Sequence, residues 1–460
     1  MVRTLPSVVR GHSLFAAILA LWVVSLAGIW LFHGVFVWAA GLLYVLYDTW
    51  LIAYVALRVR GLVVAERALA VGGGDTAESG REFGGVERPT VTVLVAARNE
   101  LEALPQTLDA LLAQLDPPEQ IIVIDDGSTD ATAAMLSRRY GAVTVLRKAR
   151  SGKADSLNQA LGLALGHLVV TLDADTHLEP GALTAIRRAF SHELQLAAVG
   201  GVLSPHCAAG RTGQFFQWFQ TFEYVRAFLS RVAWMRVDAL LLVSGAFAAY
   251  RRDVLQALEG FDASSLVEDY EIIHRLHQHA AEHGLDWRVR VLHAAHARTD
   301  APGTLPAFLR QRRRWFAGFL QTQYRHRFMT GNVRYGSVGR FMMPIKVIDT
   351  LQPIYGLTAF VLLLGFLVGG RSVLWSVLWV IGAKLLIDFC FQLWGVHLYY
   401  RWLNRPPRGR DWVLAALASL AEPFSFQIMR HTGALLGWWA VLTGRMDWAP
   451  RGAVAPTGKH

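Results

Sequence analysis

The amino-acid sequence predicts an α/β domain that is inserted between N-terminal and C-terminal transmembrane helices. Two observations predict this arrangement. Long apolar runs occur near both ends of the 460-residue chain, whereas residues 58–340 contain none of comparable length. In that central segment, short apolar runs alternate with segments of helical period, a pattern typical of parallel βαβ units.

The N-terminal apolar runs are residues 13–32, which carry no charge, and residues 35–57, which carry only Asp48. At about 1.5 Å per residue, each run can cross a bilayer core of about 30 Å. We therefore predict two transmembrane helices within residues 1–60. A cleaved signal peptide is the alternative for the first run, but no clear small-x-small cleavage site follows it, and the second apolar run begins at once.

The α/β domain is expected at residues 90–340. It follows residues 61–89, whose glycine and charge content is typical of a flexible linker. Its strands are predicted from apolar runs that begin at Thr90, Gln120, Ala142 and His167. Leucines at helical spacing separate the first two runs, so these strands should pair in a parallel sheet.

The C-terminal membrane region, residues 341–443, contains three apolar runs: 341–369, 372–400 and 412–443. The last run is too long for one span and too short for two, and Pro423 interrupts it, so we predict a bent or re-entrant segment. Lys384 and Asp388 lie four residues apart near the middle of the second run. Such charges either pair on one helix turn or line a polar path, and both interpretations stay open.

Arginines orient the chain in the membrane. Arg3 and Arg10 precede the first apolar run, no Lys or Arg separates the first two runs, and Arg58 and Arg60 follow the second. The positive-inside rule therefore predicts a multi-pass protein of the inner (cell) membrane, with the α/β domain and the tail at residues 444–460 in the cytoplasm. Topology then explains most of the net charge of +10, which disfavours a nucleic-acid partner.

Polar clusters follow three of the predicted strands. They read ARNE at residues 97–100, DDGSTD at 125–130 and DADT at 173–176. Parallel sheets bind ligands beyond the carboxyl ends of their strands, so these clusters predict a nucleotide site. No G-x-G-x-x-G follows the first strand, and SGKADS at 151–156 does not fit a P-loop, which disfavours dinucleotide and P-loop ATPase sites.

Two carboxylate pairs are candidates for the chemistry. Asp173 and Asp175 lie two residues apart after a strand, where they could share a face and bind Mg²⁺ or Mn²⁺ through hard oxygen ligands. Solvated carboxylates in a turn are the alternative. Glu268 and Asp269 lie at a predicted helix start, where acids also act as caps.

A zinc site is the alternative for the histidines of the same predicted helix, which are His274, His277, His279 and His283. Their spacing brings at most two or three onto one face, so we expect a polar surface there. The two cysteines, Cys207 and Cys390, fall in predicted cytoplasmic and membrane regions. This excludes a disulfide framework and a Cys-based zinc site.

Taken in order, the central motifs resemble those of the family 2 membrane glycosyltransferases, which include cellulose, hyaluronan, chitin-oligosaccharide and poly-β-1,6-N-acetylglucosamine synthases. The matching segments span most of the α/β domain: ARNE, IDDGSTD, SGKADSLNQAL, LDADT, VSGAFAAYRRD, VEDYEIIHRLH and QRRRW. The resemblance implies a GT-A (Rossmann-like) fold in a cytoplasmic catalytic domain. Val267 departs from the pattern, since many members have Thr there, but the aspartate two positions later is intact.

The resemblance also implies roles for particular residues. Five are expected to bind the donor: Glu100, Asp125, Asp126, Lys153 and Asp173. Asp173 and Asp175 are expected to hold a Mg²⁺ or Mn²⁺ cofactor, and Asp269 to act as the catalytic base. Three are expected to contact the acceptor and the donor diphosphate: Gln311, Arg314 and Trp315.

The basic run LRQRRRWFAGF, residues 309–319, contains the last three of these residues. On a helix their spacings of three and four place them on one face. Arg314 would clamp a phosphate, and Trp315 would offer an apolar face to a sugar ring. The neighbouring Arg310, Arg312 and Arg313 are expected to reach lipid headgroups at the membrane surface.

The predicted activity is inverting transfer of a sugar from a UDP-sugar, with UDP-GlcNAc preferred, to a growing β-linked polysaccharide, coupled to export. One carboxylate suffices because metal and arginine stabilise the leaving diphosphate, whereas a hydrolase needs a paired acid and base. Transfer of one sugar to a lipid is the alternative, and a non-catalytic transporter or scaffold is a further one. The expected partners are the UDP-sugar donor, a polysaccharide or glycolipid acceptor, the lipid bilayer and an accessory subunit for export, with no nucleic acid.

Overall fold

An eight-stranded mixed sheet forms the centre of the α/β domain in the computed structural model, which describes residues 38–72, 88–369, 373–403 and 405–445. The strands are Val91–Ala97 (β1), Gln120–Asp126 (β2), Thr144–Lys148 (β3), Leu168–Asp173 (β4), Thr176–Leu178 (β5), Leu196–His206 (β6), Phe247–Arg251 (β7) and Arg288–Asp300 (β8). The first four strands confirm the four predicted from apolar runs.

The strand order across the sheet is β3-β2-β1-β4-β7-β6-β8-β5. β3, β2, β1 and β4 are parallel, as predicted. In the other half, β6 and β8 are also parallel, but β7 is antiparallel to both β4 and β6, and β5 is antiparallel to β8, so the prediction of a parallel sheet is wrong for these three pairs. The parallel pattern was predicted from the runs of β1 to β4, whereas α6 leads from β6 into β7 without returning the chain to the end of the sheet where β6 began, so β7 pairs in the opposite direction.

Helices surround the sheet and extend beyond it on both sides in sequence. They are Ala39–Gly72 (α1), Leu104–Leu112 (α2), Thr132–Arg139 (α3), Lys153–Leu161 (α4), Ala182–His192 (α5), Arg211–Met235 (α6), Arg252–Ala257 (α7), Glu268–His283 (α8), Leu305–Arg325 (α9), Met343–Gly369 (α10), Val373–Trp402 (α11), Gly409–Ala421 (α12) and Phe426–Leu442 (α13). A π-helical turn, Val338–Met342, leads into α10.

Helix α1 contains the second predicted transmembrane helix but continues to Gly72, so the predicted linker is helical over residues 61–72. Most residues of this stretch are good helix formers and none is proline, so nothing ends the helix after Arg60. The first predicted transmembrane helix, the remainder of the linker and the tail beyond Arg445 lie outside the described residues.

The hydrophobic core has one cluster on each face of the sheet, because successive strand residues point to opposite faces. Val93 and Val95 belong to one cluster, together with leucines of α2. Leu94 belongs to the other, which also contains Val55 of α1, Phe228 of α6 and Tyr399 of α11. This second cluster joins the sheet to the membrane helices in one continuous core.

Three described helices are long and apolar enough to cross a membrane, at Gly41–Arg60, Val338–Gly369 and Leu374–Trp402. The last predicted run is broken. Its two parts, Gly409–Phe424 and Phe426–Leu442, are bent by 47° at the break that follows Pro423. The predicted interruption is therefore present, and the re-entrant topology stays a prediction.

Candidate active site

The carboxyl ends of the parallel strands bring the predicted donor-binding residues to one edge of the sheet. Ala97 pairs with Asp125 of β2, and Ala96 pairs with Asp173 of β4, so the two aspartates flank the end of β1. Asp125 is buried, and its Oδ1 accepts a hydrogen bond of 2.9 Å from the Ser128 N–H. The strand register therefore brings together the ends of β1, β2 and β4, where the three polar clusters were predicted to meet.

Asp126 holds the loop before α4. Its carboxylate accepts hydrogen bonds from the Ser151 N–H (2.8 Å), the Gly152 N–H (2.9 Å) and Lys148 Nζ (2.9 Å). Burial raises the pKa of Asp126, but these donors outweigh that effect and lower it, so the group stays ionised. Gly152 has a φ of +103°, which favours glycine, and Lys153 follows it. Asp126 therefore fixes the backbone of the loop that leads into Lys153.

Lys153 joins three elements of the site. Its Nζ lies 2.5 Å from Asp173 Oδ1, 3.1 Å from Glu268 Oε1 and 3.1 Å from the Gly245 carbonyl oxygen. Burial by itself would lower the pKa of Lys153, but the nearby carboxylates have the larger, opposite effect. The pKa is therefore raised, and the ammonium group stays charged. The structure thus brings the predicted donor-binding lysine next to the acids at the start of α8.

Asp269 lies in the first turn of α8, where the backbone of another loop orients its carboxylate. The Gly245 N–H donates to Asp269 Oδ2 at 2.7 Å, and the Tyr270 N–H donates to Oδ1 at 2.9 Å. Burial and the adjacent Glu268 raise the pKa of Asp269 to about 6, against the opposing effects of Lys153, the Gly245 N–H and Arg314. A carboxylate with such a pKa can act as a general base near neutral pH.

Sequence reasoning assigned no role to Gly245 and gave Glu268 only as one of a carboxylate pair at a helix start, although both occur in the quoted motifs. A Cβ at Gly245 would lie 3.0 Å from Oδ2 of Asp269, so a side chain there would displace the carboxylate. Glu268 pairs with Lys153 and raises the pKa of its neighbour. The signal for Gly245 in the sequence is its position, two residues after an apolar run that is typical of a strand.

Asp173 and Asp175 are the residues predicted to hold a divalent metal ion. Asp173 is the last residue of β4, and Asp175, which is buried, lies two residues after it. Mg²⁺ is commonly held by one or two carboxylates together with substrate phosphates, so two aspartates beside the predicted diphosphate site fit the predicted ion. No three His, Cys, Asp or Glu side chains converge as a metal-binding group within the described residues, so further ligands would come from the diphosphate and water.

Glu100 lies apart from this cluster. Its backbone N–H donates to Thr132 Oγ1 at 3.1 Å, and the residue lines a cavity of about 560 Å³ together with Asp130 and His177. The other predicted donor-binding residues do not line this cavity. The role of Glu100 in donor binding stays a prediction.

Helix α9 places the predicted acceptor-binding residues against the start of α8. Arg314 Nη1 donates to the carbonyl oxygen of Leu266 at 3.3 Å, three residues before Asp269. A Cβ at Gly318 would lie 2.5 Å from a Val267 methyl group, so this glycine permits the close approach of the two helices. Gln311 Oε1 is buried without a hydrogen-bond partner among the described residues, which leaves an acceptor for a ligand hydroxyl or amide.

The expectation that Arg312 reaches lipid headgroups is wrong. Its guanidinium pairs with Glu223 of α6, with Nη2 2.6 Å from Oε2, and both side chains are largely buried. The reason is that Arg312 lies on the α9 face that packs against α6 and α13. Arg310 is exposed and Arg313 donates to the Arg445 carbonyl oxygen, so their contact with headgroups stays a prediction.

The histidines of α8 are held by backbone groups. A ring nitrogen of His274 lies 2.8 Å from the Tyr270 carbonyl oxygen, and one of His277 lies 2.8 Å from that of Leu240. Burial lowers the pKa of both rings. The expected polar surface is wrong for His274, which is fully buried against Tyr270 because it faces the core side of the helix.

A cavity of about 130 Å³, lined by both charged and apolar side chains, lies among the membrane helices. Lys384 of α11 pairs with Asp388 on its own helix and with Asp48 of α1, whose Oδ2 lies 2.7 Å from Nζ. Arg226 of α6 donates to both Asp48 oxygens at 3.0 Å. All four residues line the cavity. Lys384 and Asp388 therefore pair on one helix turn and also line a space that contains other charged groups.

Comparisons with known proteins agree on one family. The model described as "Glycosyltransferase like family 2" matches residues 89–318. The poly-beta-1,6-N-acetyl-D-glucosamine synthase of Staphylococcus aureus is 28% identical over 244 residues, which cover 52% of this chain and 57% of that protein. The protein of the same name from Staphylococcus epidermidis is 26% identical over 232 residues, covering 50% and 54%. The matched region thus spans about half the length of these curated relatives.

A solved structure has a similar fold. The mannosyltransferase PcManGT from Pyrobaculum calidifontis, in complex with GDP-Man and Mn²⁺, aligns with a TM-score of 0.50 and 19% identity. The alignment covers 82% of this chain and 99% of that one. This likeness extends to the fold alone, and it confirms the predicted GT-A fold.

Proposed function

Because the chain belongs to the glycosyltransferase-like family 2, we propose that it transfers a sugar, with inversion, from a UDP-sugar to a growing β-linked polysaccharide. UDP-N-acetylglucosamine is the preferred donor, since the curated relatives are named poly-beta-1,6-N-acetyl-D-glucosamine synthases. The observation that carries the proposal is the Asp269 carboxylate, which is oriented by the Gly245 N–H and lies beside both a lysine and an arginine.

The donor site is proposed at the carboxyl ends of β1, β2 and β4. Asp125 and Asp173 face this edge, and Lys153 supplies a fixed positive charge that the loop held by Asp126 positions. Asp173 and Asp175 would hold Mg²⁺ or Mn²⁺, which when bound would neutralise charge on the diphosphate. Arg314 approaches from the other side, so the leaving group would be held between two elements.

Asp269 is proposed as the base for the acceptor. Its carboxylate takes the proton of an acceptor hydroxyl while that oxygen attacks the anomeric carbon from the face opposite the leaving diphosphate. The bond from carbon to the diphosphate oxygen breaks in the same step, and the configuration of the sugar inverts. No general acid is needed, because the departing diphosphate is stabilised as an anion.

The acceptor is proposed to lie along α9 and to extend toward the membrane helices. Trp315 offers a ring to the terminal sugar, and Gln311 offers an unpaired oxygen. The cavity beside Asp48 and Lys384 supports growth of a polymer that enters the membrane domain and leaves on the outer side, with or without an accessory subunit. The arginine pattern supports an inner-membrane protein whose catalytic domain is cytoplasmic.

The test is transfer from a panel of radiolabelled UDP-sugars by membranes that contain the full-length protein, with and without EDTA. We expect long product from UDP-N-acetylglucosamine, no product after chelation, and restoration by added Mg²⁺ or Mn²⁺. Asp269→Asn, which keeps the shape of the side chain, is the matched inactive control and should still bind UDP. A labelled lipid that carries a single sugar would support the alternative activity, and no transfer from any donor would refute both.

A further inference from the structure

Arg312 of α9 lies between two aromatic rings of its own helix. Its guanidinium carbon is 4.6 Å from the ring centroid of Phe308 and 4.6 Å from that of Trp315. The spacings of four and three residues place all three side chains on one face of the helix. A planar cation stacked in this way is attracted to both rings and covers one face of the indole.

The far end of this stack is anchored in the core. Phe308 is fully buried, and its ring centroid lies 5.4 Å from that of Phe216 on α6 and 4.9 Å from that of Phe426 on α13. Trp315, in contrast, is only partly buried. The stack therefore runs from a rigid part of the core to the ring at the acceptor end.

Arg312 is also fixed from the side. It is paired with Glu223 at 2.6 Å, and the two side chains are only 10% and 12% exposed. Arg430 of α13 lies 3.8 Å from the other oxygen of Glu223. A Cβ at Gly433 would lie 2.5 Å from Cβ of Arg312, so the absence of a side chain at Gly433 lets α13 close over this residue. These contacts leave the guanidinium little freedom to move.

We propose that Arg312 is a positioning residue for Trp315: its guanidinium, held by Glu223, fixes the indole in the orientation that receives the acceptor sugar. The inference rests on the proposed function, in which Trp315 contacts the acceptor. A ring that is already fixed binds more tightly than a mobile one, because the entropy of ordering is not lost on binding. Arg312 should therefore affect acceptor affinity more than donor affinity.

The test measures transfer kinetics of the detergent-solubilised full-length protein, with UDP-N-acetylglucosamine and a short β-1,6-linked N-acetylglucosamine oligosaccharide. Arg312→Gln removes the charge, and Arg312→Lys keeps it but loses the planar stack. Glu223→Gln combined with Arg312→Gln removes both buried charges and keeps a neutral hydrogen-bonded pair, so it guards against misfolding. The matched control is the adjacent Arg313→Gln, since the Arg313 side chain donates to the Arg445 backbone carbonyl group.

We expect Arg312→Gln to raise the acceptor KM by about tenfold, the scale of a cation–π contact in a partly buried site, with the donor KM changed by less than about twofold. Arg312→Lys should restore part of the loss, the paired variant should resemble Arg312→Gln, and Arg313→Gln should match the wild type. An unchanged acceptor KM in the Arg312 variants would overturn the inference.

A double-mutant cycle separates positioning from a merely structural role. In a Trp315→Leu background, Arg312→Gln should add nothing to the acceptor KM, because the ring that it positions is gone. The same additional loss in both backgrounds would show that Arg312 acts independently of Trp315 and would refute the inference. Wild-type protein that transfers no sugar from any UDP-sugar would refute the proposed function itself, and the inference with it.

Discussion

Asp269 illustrates how a single residue acquires its chemistry from groups distant in the chain. Its carboxylate is oriented by the Gly245 N–H and has a pKa raised by burial and by Glu268, while Lys153 and Arg314 oppose that shift. A pKa of about 6 lies close to the pH of the cytoplasm, where a base must be ionised yet still able to take a proton. The pH dependence of the reaction should report this group.

We expect kcat/KM to fall as the pH is lowered through about 6, because protonation of Asp269 removes the base. The measurement is initial transfer rates at subsaturating donor and acceptor between pH 4.5 and 8.5. A value of kcat/KM that stays constant to pH 4.5 would contradict the assignment of Asp269 as the base.

The same pKa predicts the effect of Asp269→Asn on stability. The pKa in the folded state, about 6, is above the ordinary value near 3.9, so the folded protein binds this proton more tightly than the unfolded chain. The stability gained from the proton is complete below about pH 4 and is lost as the pH rises through about 6. We therefore expect Asp269→Asn to raise Tm at pH 7.5 and to leave it unchanged at pH 4, as measured by thermal unfolding in detergent.

Gly245→Ala tests how accurately the carboxylate must be placed. The added Cβ would lie 3.0 Å from Oδ2 of Asp269, so the carboxylate must shift by a few tenths of an ångström. We expect kcat to fall by about tenfold, with UDP binding unchanged, because small displacements of a catalytic group are costly. Gly181→Ala is the matched control, since nothing lies within 4 Å of its Cβ position. Equal kcat values for the two variants would argue against a positioning role of the Gly245 loop.

At the scale of secondary structure elements, α9 is held between the catalytic domain and the membrane segment. On one side, Gly318 permits contact with Val267 at the start of α8. On the other side, a Cβ at Gly437 of α13 would lie 2.8 Å from Cβ of Phe316 and 3.0 Å from the Arg313 carbonyl oxygen. Since backbone atoms are among these neighbours, the two helices cannot accommodate a larger residue without separating.

We expect Gly437→Ala to destabilise the protein by about 1 to 3 kcal/mol, the usual cost of overpacking, and to reduce transfer activity because α9 carries the predicted acceptor-binding residues. Thermal unfolding in detergent and initial rates provide the measurements. Gly365→Ala on α10 serves as the control, since nothing lies within 4 Å of its Cβ position. A Tm for Gly437→Ala at or above that of the control would refute the close-packing account.

At the scale of the whole molecule, the catalytic domain and the membrane helices share one core. The cluster on one face of the sheet includes side chains from α1, α6 and α11. Arg226 of α6 reaches Asp48 in a membrane helix, and Asp48 in turn pairs with Lys384. Sugar transfer and passage of the product through the membrane are therefore expected to depend on one connected structure.

Replacing Lys384 and Asp388 by Leu together tests the polar path. Asp48 keeps its partner Arg226, so no buried charge is left unpaired. We expect transfer of one sugar to a short soluble acceptor to survive in detergent. Long polymer should be lost, because the polar lining of the proposed path is removed. Leu386→Ala is the control on the same helix, at a side chain that is 63% exposed. Polymer of normal length from the double variant would show that the two residues do not line a path for the product.

The sequence by itself determined the division into membrane and α/β regions, the four parallel strands and the face of α9 that carries Gln311, Arg314 and Trp315. These features depend on hydropathy and on the periods of helices and strands, which are local properties of the chain. Because parallel strands run in the same direction, the carboxyl ends of these strands also had to meet at one edge of the sheet. The predicted roles of the site residues came from the resemblance to a family and still await the experiments above.

Only the tertiary structure decided which charged groups meet. Arg312 was expected at the membrane surface and instead pairs with Glu223, and Lys384 pairs with Asp48 as well as with Asp388. Asp126 accepts hydrogen bonds from the backbone of the loop before Lys153, and its predicted contact with the donor stays a prediction. The physical reason is that burial and pairing of a charge depend on which helices and loops pack together. That packing joins residues far apart in sequence, and no local pattern records it.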